Sequence, residues 1–136
     1  MIILRAYPPN IDEIDEAFKV KSQPTLYAYG RTIYNPFGIH IPAELRAHEF
    51  VHIVRQGGEP EEWWRRYIRE AEFRLEEELV AHRVEYITFC RTQRDNAIRK
   101  EFLDAIARRL SGPLYNNMID FAIARSAITS PKGRPA

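Results

Sequence analysis

Apolar residues form short runs in the first forty positions of the chain, and they recur at helical spacing in the remainder. Residues 1–6, 26–29 and 32–34 are rich in β-branched and aromatic side chains and are bounded by turn-forming residues, which predicts three short strands. Gly30 and Arg31 separate the second run from the third and predict a hairpin. The first forty residues are therefore expected to form a small antiparallel sheet.

Helices are predicted where apolar residues recur every three or four positions between proline, glycine and capping residues. The first spans residues 11–20 and follows Asn10, whose side chain can cap a helix. Asp95 is a second capping residue and begins a later helix. The other predicted helices cover residues 42–56, 59–68, 70–90, 95–110 and 114–127.

These elements predict one mainly helical domain of the α+β class, with the small sheet at its N-terminal end. A chain of 136 residues has the length of a single domain, and 45% hydrophobic residues supply a core without disulfides. Residues 1–129 are expected to form this domain. Residues 130–136 contain two prolines and a glycine and are predicted to be a flexible tail.

The charges of the chain nearly cancel, with 20 Lys and Arg against 19 Asp and Glu. Because no basic excess attracts polyanions, we expect neither nucleic acid nor a membrane as a partner. The pairs Arg65-Arg66 and Arg108-Arg109 are too short for a basic stripe and are interpreted as solvated helix faces. A single cysteine, Cys90, and an apolar start too short for a signal peptide predict a cytoplasmic location.

The predicted helix 42–56 contains the pattern HExxH at residues 48–52. His48 and His52 are four residues apart, so both imidazoles lie on one helix face and can bind the same metal ion. Glu49 lies about 100° around the helix from His48, where it can reach a metal-bound water as a general base. The opposite face of the helix is expected to be buried and to anchor the site; it consists of Ala47, Phe50, Ile53 and Val54.

A catalytic zinc site needs a third protein ligand, and the predicted helix 70–90 offers the candidates. Periodicity places Glu77 on the most apolar stripe of this helix and Glu78 at its border, which slightly favours Glu77. His82 is a rival ligand, and His40 is a more remote one. Most of the glutamates that compete for this role are expected to be solvated. The five competing glutamates are Glu72, Glu76, Glu77, Glu78 and Glu85.

Much of the chain resembles small HExxH proteins of bacteriophages and prophages, which are classed as gluzincin-type metallopeptidases. The resemblance covers residues 42–52, the pair Trp63-Trp64, residues 73–86 and residues 110–118. Gluzincins take their third ligand from a glutamate that precedes a small residue by three positions and a polar residue by four. Glu78, with Ala81 and His82, matches this pattern better than Glu77 does, so the resemblance implies Glu78 as the third zinc ligand.

The resemblance implies zinc-dependent hydrolysis of peptide bonds in a peptide or protein substrate, by a metal-activated water with Glu49 as general base. A further donor is expected for the developing oxyanion, and the candidates are Tyr86, His82 and Tyr115. Tyr115 is preferred because its segment is interrupted by glycine and proline and can turn toward the site. A metal-ligating histidine usually donates its other ring N–H to a hydrogen-bond acceptor. Val80 and His82 stand where relatives often carry acidic residues, so the sequence does not assign this acceptor.

A phage structural or assembly protein is the alternative function. Such a protein would keep the fold for contacts with phage structural proteins, in the host cytoplasm or in the virion, without essential catalysis. Holding a metal is compatible with both functions. Loss of hydrolysis in Glu49→Gln would separate them, because only the enzyme uses this carboxylate.

The resemblance also implies an edge strand beside the active-site helix, which would bind an extended peptide by strand addition. Residues 26–34 are the candidate for this strand, and an ordinary hairpin that covers the helices is equally compatible with the sequence. The pair Trp63-Trp64 is expected to pack in the core rather than to form a shelf for substrate.

Overall fold

The computed structural model describes residues 1–130, and the helices predominate in this part of the chain. The mainly helical α+β class is confirmed. The predicted tail lies outside the described residues except for Ser130. In chain order the elements are β1 (Ile2–Leu4), α1 (Ile11–Phe18), β2 (Tyr27–Tyr29), β3 (Thr32–Tyr34), α2 (Ala43–Gln56), α3 (Pro60–Arg69), α4 (Ala71–Thr92), α5 (Asn96–Leu110), a 3-10 turn (Pro113–Tyr115) and α6 (Phe121–Thr129).

The three strands form one mixed sheet in the order β1-β3-β2. β2 and β3 are the predicted antiparallel hairpin, with Ala28 opposite Ile33. β1 is parallel to β3, with Ile3 opposite Ile33, so the prediction of a wholly antiparallel sheet is wrong. The physical reason is that the connection from β1 to β3 contains both α1 and β2, which makes it long enough for the crossover that parallel neighbours require.

Two clusters of buried apolar side chains hold the helices together. The first joins α5, α6 and the 3-10 turn, and its buried members are Leu103, Ile106, Ala107, Leu110, Tyr115, Ala124 and Ile128. The second joins α1, β2 and α3, and its buried members are Ile14, Tyr27, Trp63, Trp64 and Tyr67. The tryptophan pair is therefore part of the core, as predicted.

The first helix is shorter than predicted, and its cap differs. α1 ends at Phe18 because Lys19 adopts the left-handed conformation, with a φ of 56°. Asn10 occupies the N-cap position without a capping hydrogen bond, and its buried Oδ1 has no partner. Asp95, in contrast, caps α5 as predicted by accepting bonds from the N–H groups of the second and third helical residues.

The last helix begins later than predicted, at Phe121 instead of residue 114. The chain after the 3-10 turn contains Asn116 and Asn117 in the left-handed conformation, with φ values of 56° and 51°. Two such residues cannot continue a right-handed helix. α6 therefore starts only where Asp120 caps it. No helix among residues 1–130 combines the length and the apolar character needed to cross a membrane.

Candidate metal centre

The buried side chains of helix α2 are all polar, whereas its apolar side chains are half-buried or exposed. Its buried residues are His48, Glu49, His52 and Gln56. Phe50 and Val54 are 48% and 60% exposed, so the prediction that their face anchors the helix is wrong. The buried face of α4, against which α2 packs, is also largely polar. Because unpaired buried charges are costly, these two faces must satisfy each other by ion pairs, hydrogen bonds or a bound cation.

The structure brings together the three residues predicted as metal ligands, between α2 and α4. Glu78 Oε1 lies 3.0 Å from His48 Nε2 and 2.7 Å from His52 Nε2, and the two Nε2 atoms are 3.2 Å apart. Donors arranged tetrahedrally at zinc bond lengths are about 3.3 Å from one another. The three atoms lie slightly closer together than this, and the group of two imidazoles and a carboxylate could hold a divalent cation.

The charges in this donor group are strongly coupled. Burial acts against a charge on Glu78, but the two imidazoles outweigh it and hold the pKa of this carboxyl well below its ordinary value. Burial also lowers the pKa of His48, but Glu78 and Glu85 outweigh it and raise that pKa well above its ordinary value. Glu78 is therefore kept as a carboxylate, which is the form that binds a cation.

Glu77 is occupied by hydrogen bonds to other helices. It is 2% exposed, and its Oε1 accepts a bond of 2.7 Å from Trp63 Nε1. Its Oε2 accepts two bonds from the Arg55 guanidinium, at 2.9 and 2.6 Å. Periodicity thus identified a buried position correctly, but the side chain there joins α2, α3 and α4. Glu78, one residue later, is the one that faces the histidines.

Glu85 and His82 lie behind His48. Glu85 Oε1 is 2.7 Å from His48 Nδ1 and 3.0 Å from His82 Nδ1. The approach to His48 is too oblique for a formed hydrogen bond, yet it places a carboxylate at the ring nitrogen that does not face Glu78. In the neutral imidazole a carboxylate there favours a proton on Nδ1, so the lone pair lies on Nε2, the nitrogen that faces Glu78.

Glu85, which was expected to be solvated, is buried and places a carboxylate beside His48, where the sequence pattern left the acceptor unassigned. His82, the rival third ligand, faces Glu85 through Nδ1. His48, His82 and Glu85 also form a second group of possible cation donors, which shares His48 with the first group. His40 is exposed and belongs to neither group.

Replacing Glu85 with Gln is expected to weaken zinc binding by about ten- to a hundredfold, because the negative charge that orients His48 is lost. Competition with a chromogenic chelator measures this affinity. Glu76→Gln is the matched control, since Glu76 is an exposed glutamate of the same helix and its loss should leave the affinity unchanged. Equal affinities in both variants would show that Glu85 does not support the ligand.

A small cavity of about 50 Å³ adjoins the donor group. Glu49, His52 and Glu78 form its polar wall, and the other lining residues are Leu26, Tyr27, Ala28, Trp63, Trp64 and Tyr67. A cavity of this size has room for water but not for a larger molecule. Burial raises the pKa of the Glu49 carboxyl, while His48 and His52 act in the opposite direction. Glu49 thus shares its cavity with two of the donor residues, as a general base must.

Tyr67 is a member of the site that the sequence did not indicate. Its hydroxyl donates a bond of 2.7 Å to Glu78 Oε2, the oxygen that does not face the histidines, and its side chain lines the cavity. The sequence feature that could have indicated Tyr67 is its distance of four residues from Trp63, which places both side chains on one face of α3. Their rings stack with centroids 5.0 Å apart.

Tyr115, the predicted oxyanion donor, stands behind Tyr67 and does not line the cavity. It is 3% exposed and belongs to the core between α5 and α6. Burial raises the pKa of its hydroxyl, and Glu78 acts in the same direction. Tyr86 packs against the same core, away from the cavity. A catalytic role of Tyr115 stays a prediction, and Tyr67 is the tyrosine that lines the cavity.

β2 lies beside α2, as expected for a strand next to the active-site helix. Gln56 Nε2, at the C-terminal end of α2, donates a bond of 2.7 Å to the Ala28 carbonyl. Ala28 also lines the cavity that contains Glu49. The hairpin therefore forms one wall of the candidate site.

Comparison of the chain with models of protein families, with curated proteins and with solved structures finds no significant match.

Proposed function

We propose that this chain is a zinc-dependent peptide hydrolase of the small, gluzincin-like zincin type. The observation that carries the proposal is the convergence of His48, His52 and Glu78 beside a cavity that Glu49 shares. Structural zinc sites are usually closed by four protein ligands, whereas catalytic sites have three and leave a position for water. Three donors with a carboxylate next to them are the catalytic pattern. The phage origin and the cytoplasmic location stay predictions.

The chemistry follows from the positions of these side chains. Zinc held by His48, His52 and Glu78 would polarise a peptide carbonyl and lower the pKa of a bound water toward about 7. Glu49 accepts the proton of the attacking water and passes it to the leaving amine. In this scheme Glu49 is the catalytic residue that handles protons, and the two histidines and Glu78 only bind the metal.

Tyr67 positions the third ligand in this scheme. By donating to Glu78 Oε2, it holds that oxygen away from the histidines and leaves Oε1 facing His48 and His52, where it would help to hold the metal. Trp63 and Trp64 complete the wall and exclude bulk water, which strengthens the electrostatic interactions inside the cavity. The aromatic wall therefore serves both the core and the site.

Metal analysis tests the proposal first. The purified chain, reconstituted with zinc and dialysed, is expected to hold about one zinc ion, because His48, His52 and Glu78 together would bind one ion. His48→Ala and His52→Ala should each abolish this binding. His40→Ala is the matched control and should retain the metal, since His40 is exposed and outside the donor group. Wild-type protein without zinc after reconstitution would refute the proposed site.

A further inference from the structure

The buried interface between α2 and α4 contains more cation donors than one metal site uses. His48, His52 and Glu78 form the candidate site, and His82 and Glu85 of α4 lie behind it. His82 and Glu85 are each 5% exposed. Burying a carboxylate and an imidazole is costly unless these groups satisfy one another or bind a cation. The proposed hydrolase site makes no direct use of His82, so the role of this second group is a separate question.

The second group, which consists of His48, His82 and Glu85, repeats the composition and the spacing of the first. Each group has two imidazoles and one carboxylate, and in each the donor atoms lie within 4.8 Å of one another. Glu85 Oε1 is 2.7 Å from His48 Nδ1 and 3.0 Å from His82 Nδ1. The carboxylate oxygen of the first group is likewise 2.7 and 3.0 Å from its two imidazole nitrogens. The geometry that makes the first group a candidate cation site therefore applies to the second as well.

His48 Nδ1 is buried and has no hydrogen-bond partner, although a carboxylate oxygen is close to it. His48 is 5% exposed, so bulk water does not satisfy this nitrogen. Atoms that bind one cation direct their lone pairs at the ion and not at each other, so they meet at oblique angles. The oblique approach of Glu85 to Nδ1 is of this kind. The arrangement around Nδ1 thus suits a shared cation better than a hydrogen bond.

We propose that His48, His82 and Glu85 form a second site for a divalent transition-metal cation such as Zn²⁺, and that His48 binds one ion through each ring nitrogen. Imidazole and carboxylate groups are ordinary ligands of this cation. Nε2 faces the first group and Nδ1 faces the second, so one ring serves both. The second ion must displace the proton on Nδ1, so it binds more weakly and occupies its site only in excess zinc. The inference rests on the proposed function for the first ion alone.

Equilibrium dialysis of the intact chain against excess zinc, followed by elemental analysis, tests the second site. Wild type is expected to hold about two zinc ions under these conditions. His82→Ala and His52→Ala should each hold about one, because each variant lacks a ligand of one group only. His48→Ala should lose both ions, since this imidazole belongs to both groups. His40→Ala is the matched control and should bind as much zinc as wild type, because His40 is exposed and outside both groups.

Equal zinc content in His82→Ala and wild type would overturn the inference, because a purely structural role of His82 does not change the number of ions bound. Glu85→Gln replaces His82→Ala if the latter does not fold. It should also lose the second ion, while excess zinc keeps the first site filled. The failure of the proposed function has a different signature. If His52→Ala binds as much zinc as wild type while His82→Ala loses an ion, the first site is refuted and the second is supported.

The number of ions bound is also independent of catalysis. If wild type hydrolyses no peptide but loses one ion in each of His52→Ala and His82→Ala, the peptidase proposal fails and the second site stands.

Discussion

Glu49→Gln is expected to lower peptide hydrolysis by about a hundred- to ten-thousand-fold while zinc content and thermal stability stay nearly unchanged. The glutamine amide has almost the same shape but cannot accept a proton from the attacking water. Glu49 is buried beside the donor group without being part of it, so its replacement leaves the three ligands in place. Rates on short peptides and on unfolded proteins, compared with zinc content, measure this effect.

The same variant separates an enzyme from an assembly protein. Parallel loss of zinc and of activity in Glu49→Gln would mean that the residue supports the metal, and the general-base assignment would be wrong. If wild type hydrolyses neither short peptides nor phage structural proteins, the peptidase proposal fails. Full complementation of phage growth by Glu49→Gln would then favour the assembly function.

Glu78→Ala is expected to weaken zinc binding, whereas Glu77→Ala is expected to lower the stability of the fold, although the two residues are neighbours. Loss of Glu78 removes a ligand and should weaken zinc binding by more than about a hundredfold. This is more than the loss in affinity expected when a residue that only hydrogen-bonds to a ligand is removed. Loss of Glu77 should leave zinc binding within a few-fold of wild type. It should instead lower the free energy of unfolding by about 2–3 kcal/mol, since it breaks a buried ion pair with Arg55 and a bond from Trp63. This loss is smaller than for a fully buried ion pair because the Arg55 side chain is 35% exposed and solvent screens its charge.

Chelator competition and urea denaturation of the metal-depleted proteins measure the two effects separately. Working without metal in the denaturation experiment removes the contribution of zinc binding to stability. Zinc loss in Glu77→Ala with retention in Glu78→Ala would reverse the assignment of the third ligand. Equal loss of stability in both variants, with zinc retained in both, would show that neither glutamate is a ligand.

The elements that the sequence predicted well are those that depend on neighbouring residues. The hairpin required only Gly30, which has a φ of 66°, and the β-branched and aromatic residues around it. The cap of α5 required only Asp95 and the next few residues. The HExxH pattern is local as well, because a four-residue spacing on any helix places His48 and His52 on one face.

The orientation of α2 could not be predicted from its own residues. Its apolar residues indicated which face should be buried, and the structure buries the polar face that carries the HExxH pattern. The reason lies in α4, because its buried carboxylates and imidazole offer partners that compensate the loss of hydration. Such compensation is a property of two helices in contact, and no periodicity within one helix reveals it.

Sequence alone was thus sufficient for the mainly helical α+β class and for placing His48 and His52 on one helix face with Glu49 beside them. The parallel pairing of β1 and the contacts of Glu85 and Tyr67 emerged only from the packed molecule. The structure also places Glu78, which the resemblance implied, against the histidines, and not Glu77, which periodicity slightly favoured. Glu77 and Glu78 are adjacent on α4, and which of them meets the histidines depends on the rotation of α4 against α2 and α3. That rotation is determined by contacts between residues far apart in the chain, such as those of Glu77 with Arg55 and of Tyr67 with Glu78.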